Sequence, residues 1–153
     1  MIAMWTLLAS FGLAVASAMV PWINGELVLL AFAARAASLA EIVRLVLAVT
    51  AGQVAGKSVL YWLARRARTL PPPKLAATIA RWGERNERHP LAALATMFVS
   101  ATVGVPPLYL TTLAAGALMV EFGSFLSVIT CGRLLHFGAI AFVPKLVGHL
   151  IQS

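Results

Sequence analysis

Glu26 is an ionisable side chain in apolar surroundings. It closes the sequence Val20-Pro21-Trp22-Ile23-Asn24-Gly25-Glu26, after the uncharged stretch Trp5–Val20 and before the apolar residues Leu27–Ala34. A charge at bilayer depth costs ~2.5–3.5 kcal/mol on insertion scales, so such groups usually face protein or a wet cavity. Unpaired and desolvated, a carboxylate there could carry a proton. Arg133 and Lys57 are the other charges embedded in apolar sequence. A guanidinium matches phosphate oxygens bidentately, and an ammonium meets them as a point charge. The three side chains could therefore supply one proton-binding group, Glu26, and two groups for a phosphate-bearing headgroup, Arg133 and Lys57. A Glu–Arg or Glu–Lys ion pair that only fixes the packing is the plainer reading of the same residues. Asn24, Gln53, Thr111 and Thr112 are weaker candidates to line a polar path.

The sequence offers no catalytic constellation, so an enzyme is not expected. Asp is absent, and His89, His136 and His149 have no ligand-like spacing. Neither a metal site nor a cofactor is expected. Ser17, Ser58, Ser100, Ser124 and Ser127 have no neighbouring histidine and suit helix–helix hydrogen bonding.

The elements that must hold these groups are apolar. The chain has 153 residues, 61% of them hydrophobic and 11% charged, with a mean hydropathy of +0.90. Those values exclude an ordinary soluble domain and indicate an all-α integral membrane protein of one domain, 1–153. The single cysteine, Cys131, lies in an apolar run; it rules out an intrachain disulfide and reads as a small packing residue. Met1-Ile2-Ala3-Met4 has no basic n-region, so residues 1–20 are expected in the mature protein.

In order, segments 4–20 and 26–36 are expected to form a re-entrant helical hairpin, broken at Pro21 and Gly25, because neither is comfortably long enough to span. An ordinary first span followed by a loop is the alternative. Ile42–Leu63 reads as a full span. Its Gly52-x-x-x-Gly56 spacing permits close helix approach, and Tyr61 and Trp62 fit an interfacial anchor. Residues 64–90 carry Arg65, Arg66, Arg68, Lys74, Arg81, Arg85 and Arg88 against Glu84 and Glu87. The positive-inside rule makes that connection cytoplasmic. After Pro71-Pro72-Pro73, the spacing of Leu75, Ile79 and Trp82 predicts a short amphipathic helix on the membrane surface. Its charges serve either attraction to anionic headgroups or topology alone. Segments 91–103 and 108–120, broken at Gly104, Pro106 and Pro107, predict a second hairpin with Glu121 at its mouth. Phe122–Val143 is a second span, carrying Arg133 and His136 and closed by Pro144-Lys145. The net charge of +7 thus reflects topology, and no nucleic-acid partner is implied.

The halves 1–63 and 91–145 share the order hairpin, then span. Ala16-Ser17-Ala18-Met19-Val20 is similar to Val99-Ser100-Ala101-Thr102-Val103, and Val49-Thr50-Ala51-Gly52-Gln53 to Ile129-Thr130-Cys131-Gly132-Arg133. The intervening span makes the second hairpin open to the opposite face. The result is an inverted-topology repeat, an architecture that places transport sites between broken helices.

Three motifs resemble the DedA family, also called the VTT or SNARE-associated Golgi family. Pro21-x-x-Asn24-Gly25-Glu26 is similar to its proline-containing first hairpin with a functional glutamate. Gly52-x-x-x-Gly56 with Tyr61 and Arg65 is similar to its glycine-spaced helix. Phe98, Pro106, Ala115-Gly116, Met119, Phe122 and Phe125 resemble its second hairpin. The likeness covers most of 15–145. It departs where the family's second hairpin usually carries two arginines, at positions near Thr102 and Leu108 here, and where Lys57 replaces a common acidic residue. The resemblance implies a flippase or scramblase, proton-coupled in some members, that moves phospholipids or polyprenyl phosphates in a bacterial-type inner membrane. The partners expected are thus a membrane lipid and protons; small-residue helix faces also suit a homodimer. A non-transporting scaffold or assembly factor, and a small-ion or drug transporter, are the other function classes.

Overall fold

The computed structural model describes the backbone of residues 3–20, 23–67, 76–77, 80–81, 84 and 89–152, with side chains as far as 142. Among the described residues the chain is helical and has no strand. In order the helices are α1 (Met4–Met19), α2 (Gly25–Ala33), α3 (Leu39–Arg66), α4 (Pro90–Val103), α5 (Leu108–Ala117) and α6 (Phe122–Gln152). α3 and the stretch Phe122–Phe142 of α6 are long and apolar enough to cross a membrane. At ~1.5 Å per residue, α3 covers ~42 Å and α2 only ~14 Å, about half a bilayer core.

Local chemistry explains the interruptions. Asn24 is the N-cap of α2, its Oδ1 accepting from the Glu26 N–H at 2.8 Å. α4 stops at Gly104, whose φ of 85° places it in the left-handed region and lets its N–H return to the Ser100 carbonyl. A cis Val105–Pro106 bond follows, and Pro107 caps α5. α5 ends with Met119 left-handed at φ 57°. There the Val120 N–H reaches the Ala115 carbonyl and the Met119 N–H reaches Gly116, the two bonds of a Schellman motif. α3 opens with a variant of the capping box, in which the glutamate reaches one residue beyond the N-cap. The Ser38 hydroxyl accepts from the Glu41 N–H, and Glu41 Oε2 accepts from the Ala37 N–H at 2.8 Å.

The breaks therefore fall where the prolines and glycines predict, although Pro21 itself lies outside the described residues. The last span was expected to close at Pro144-Lys145, but α6 continues to Gln152. A proline removes one helical hydrogen bond and kinks a helix without having to end it. Residues Leu75, Ile79 and Trp82 of the expected amphipathic helix lie outside the described residues, as do Arg68, Lys74, Arg85 and Arg88. Ala76, Ala77, Ala80, Arg81 and Glu84 are helical.

The chain divides into two compact units, Met1–Gly56 with Arg133–Ser153, and Lys57–Gly132. The boundary falls inside α3 and α6, so it differs from the expected halves 1–63 and 91–145. In the first unit, α1, α2 and the opening of α3 share a core with the later part of α6: Ala14, Leu29, Ile42, Leu45, Val46, Val49, Phe137 and Ala141. α1 crosses α3 at its two glycines. A Cβ on Gly52 would meet the Phe11 carbonyl oxygen, and one on Gly56 would lie 2.6 Å from Ala18 Cβ. This is the close approach that the Gly-x-x-x-Gly spacing predicts.

In the second unit α4 packs against α5. Gly116 lies against the Tyr61 carbonyl oxygen, and a Cβ on Gly132 would sit 2.5 Å from Ala101 Cβ. Tyr61 is fully buried, stacked on Phe125 at 4.7 Å, and its hydroxyl donates to the Val120 carbonyl at 2.5 Å. It is thus a core residue rather than the expected anchor; Trp62, 44% exposed, keeps that position. Cys131, expected as a packing residue, is exposed. The small residue that α6 presents to α4 is its neighbour Gly132.

Candidate functional site

The ionisable groups that gather at a helix break are in the first unit. Glu26 stands in the first turn of α2, where the Asn24 cap fixes the backbone and the helix N-terminus favours negative charge. Its Oε1 lies 2.9 Å from His136 Nε2 on α6. The imidazole side chain is 14% exposed and the carboxylate 45%. The histidine is therefore enclosed while the carboxylate still reaches the surroundings.

Arg133 is one helical turn before His136, so the two share a face of α6. Its guanidinium interacts electrostatically with Glu26 and lies over the Phe137 ring, 5.4 Å from the centroid. His136 meets the same ring edge-on at 5.3 Å. Arg133 Nε is buried and donates to no acceptor.

Beside Glu26, the break packs on α3. A Cβ on Gly25 would come within 2.7 Å of Gln53 Nε2 and 3.2 Å of Ser17 Oγ, so those side chains would have to move to admit one. Gln53 Nε2 donates to Ser17 Oγ at 2.5 Å, and Ser17 donates to the Ala14 carbonyl. Gln53 Oε1 and Thr50 Oγ1 are buried without a hydrogen-bond partner. Gly25, Ser17 and Gln53 thus hold α2 against α1 and α3, so the Glu26 backbone is fixed on two sides.

The structure brings Glu26 and Arg133 together electrostatically, but the ion-pair partner at hydrogen-bond distance is His136. Lys57 belongs to the second unit; it is 4% exposed and its ammonium lies over the Tyr109 ring at 5.5 Å. Asn24 is engaged as a cap. Thr111 and Thr112 are buried in the second unit and both hydroxyls donate to the Leu108 carbonyl. Thr111 also meets Ser100, which in turn donates to the Pro106 carbonyl. These threonines brace the second break. Near it, where the family's arginines would fall, Leu108 is buried and the Thr102 hydroxyl donates to the Phe98 carbonyl.

His136 is the functional candidate that sequence reasoning left unassigned. Its signal was an ionisable residue three positions after Arg133 in an otherwise apolar span. Chemically, a carboxylate and an imidazole at 2.9 Å can hold and pass a proton, and a guanidinium beside them can take an anion. Among the described residues no cluster of His, Cys, Asp and Glu could hold a metal ion. Comparison with protein-family models, curated proteins and solved structures found no match.

Proposed function

We propose that this chain is a membrane lipid transporter, a flippase or scramblase, for an anionic phosphate-bearing lipid such as a phospholipid or a polyprenyl phosphate. One observation carries the reading: Glu26, at the start of a helix too short to span, is paired with His136 in the middle of a span-length helix. Ionisable groups at a helix break inside apolar sequence mark transport sites by default. In this reading Glu26 is the proton or gating carboxylate and Arg133 meets the headgroup. The order of motifs supports membership of a small, divergent branch of the DedA family. α1–α2 and α4–α5 would be re-entrant hairpins, and the two halves an inverted repeat in a bacterial-type inner membrane, with 64–90 cytoplasmic.

The repeat gains one local parallel. Gly56 faces Val15 and Ala18, and Gly132 faces Phe98 and Ala101. That favours matching Gly132 with Gly56, one helical turn from the Gly52 match suggested by sequence.

The test is reconstitution in liposomes carrying fluorescent lipid, with dithionite quenching the outer leaflet. Wild type is expected to expose the inner-leaflet half, and Glu26→Gln to leave it protected while eluting as a folded species. Protection in both, with polyprenyl-phosphate probes included, would favour a scaffold. Equal exposure in both would remove Glu26 from the mechanism.

A further inference from the structure

Two nitrogen side chains of α6 bear on one carboxylate, His136 by a hydrogen bond of 2.9 Å and Arg133 through its charge. Arg133 and His136 are a turn apart on one face, and both act on Glu26, which α2 presents from across the first unit. The guanidinium is not used up by this arrangement, because its Nε is buried and donates to nothing. Nor is the carboxylate sealed in, being 45% exposed. The pair of donors has the chemistry of an anion site, and the protein's own anion sits at it.

We infer that Arg133 and His136 form a phosphate-binding site, and that Glu26 is its resident counter-anion, displaced when a phosphate group binds. Guanidinium and imidazole N–H groups both suit phosphate oxygens, and the planar fork of Arg133 can meet two at once. The guanidinium lies over the ring of Phe137, 5.4 Å from its centroid. The site itself needs only a phosphate; naming that phosphate as a lipid headgroup rests on the transport reading above.

Displacement fixes a proton count. When a phosphate oxygen accepts the His136 Nε2 hydrogen bond, Glu26 Oε1 loses it and faces a second anion. Two negative groups at one site disfavour each other, so the carboxylate takes one proton from the buffer acid to become the neutral acid. One O–H bond forms at Glu26 as the buffer acid's bond to that proton breaks, leaving its conjugate base in solution. α1 has no ionisable group in its sequence; on α3, Glu41 and Arg44 lie more than two turns before Gln53, and Lys57, buried with its ammonium over the Tyr109 ring, lies one turn after it; Arg35 follows α2. Anion binding and proton uptake are therefore linked, and the link is reciprocal.

The experiment is calorimetric titration of the purified full chain in detergent micelles, with inorganic phosphate and, separately, with a short-chain phosphatidic acid. At pH 7.5, Glu26→Gln is expected to bind at least tenfold more tightly than wild type, because the competing anion is gone. Arg133→Gln should weaken binding tenfold or more. Should Glu26→Gln not fold, wild type alone decides: titrations in two buffers of different ionisation enthalpy should report proton uptake on binding.

Binding of phosphatidic acid alone, or of both probes, would support the site with a lipid source. Binding of inorganic phosphate alone would keep the site and remove the lipid. No binding of either probe, no gain in Glu26→Gln, or no proton uptake in wild type would overturn the inference. A silent liposome assay beside intact phosphate binding would count against transport and not against the site.

Discussion

At the scale of single residues, the break before α2 depends on Asn24 and Gly25 as much as on Glu26. Asn24 spends its side chain on the Glu26 N–H, one of the unpaired donors of a nine-residue helix. Replacing it with alanine is expected to lower stability by ~1 kcal/mol, read as an earlier midpoint in SDS titration of the micellar protein. An unchanged midpoint would mean that tertiary contacts alone hold α2. Glu26 was legible as a chemical group because a charge inside apolar sequence has few bland explanations. Its partner was not. A histidine in a span is compatible with many neighbours, and the pairing of positions 26 and 136 depends on how α2 and α6 pack. The contacts of the threonines were not legible for a related reason. Thr111 and Thr112 are polar in the sequence, yet each can return its hydroxyl to a carbonyl one turn back, and so be buried at little cost.

At the scale of elements, glycine position separates packing from composition. Gly12 and Gly52 are both helical glycines in the first unit, but nothing lies within 4 Å of a Cβ on Gly12, whereas Gly52 abuts the backbone of α1. Gly12→Ala should therefore be neutral or stabilising by up to ~1 kcal/mol. Gly52→Ala must push α1 away from α3 and should destabilise the same protein in the same assay. Equal responses would show that α1 does not cross α3 at Gly52. The helices and both interruptions were readable because prolines, glycines and apolar runs act locally. The end of α6 was not, because a single proline permits either a stop or a kink and the sequence alone does not choose. Burial of Tyr61 was missed in the same way. An aromatic beside Arg65 looks interfacial, but Phe122 and Phe125 from α6 and the Val120 carbonyl enclose it.

At the scale of the molecule, the proposed architecture fixes which segments face which side of the membrane. α2 is about half a bilayer core long, so α1 and α2 together should enter and leave on one side, and α3 should then cross. Cys131 is the chain's one cysteine and is exposed, so Cys131→Ser gives a background for single-cysteine labelling without opening the core. In that background, Ala3→Cys and Ala37→Cys are expected to react with an impermeant maleimide from the same face of the membrane. Ala67→Cys and His89→Cys, which flank the basic connection, should react from the opposite, cytoplasmic face. Labelling of positions 3 and 37 from opposite faces would make α1 and α2 a crossing unit and remove the re-entrant hairpin. Labelling of 67 and 89 from the outer face would reverse the orientation that the arginines of 64–90 imply. The hairpin result bears on transport directly. Only a pair that turns back inside the bilayer puts the Glu26 break at a depth where a carboxylate needs His136.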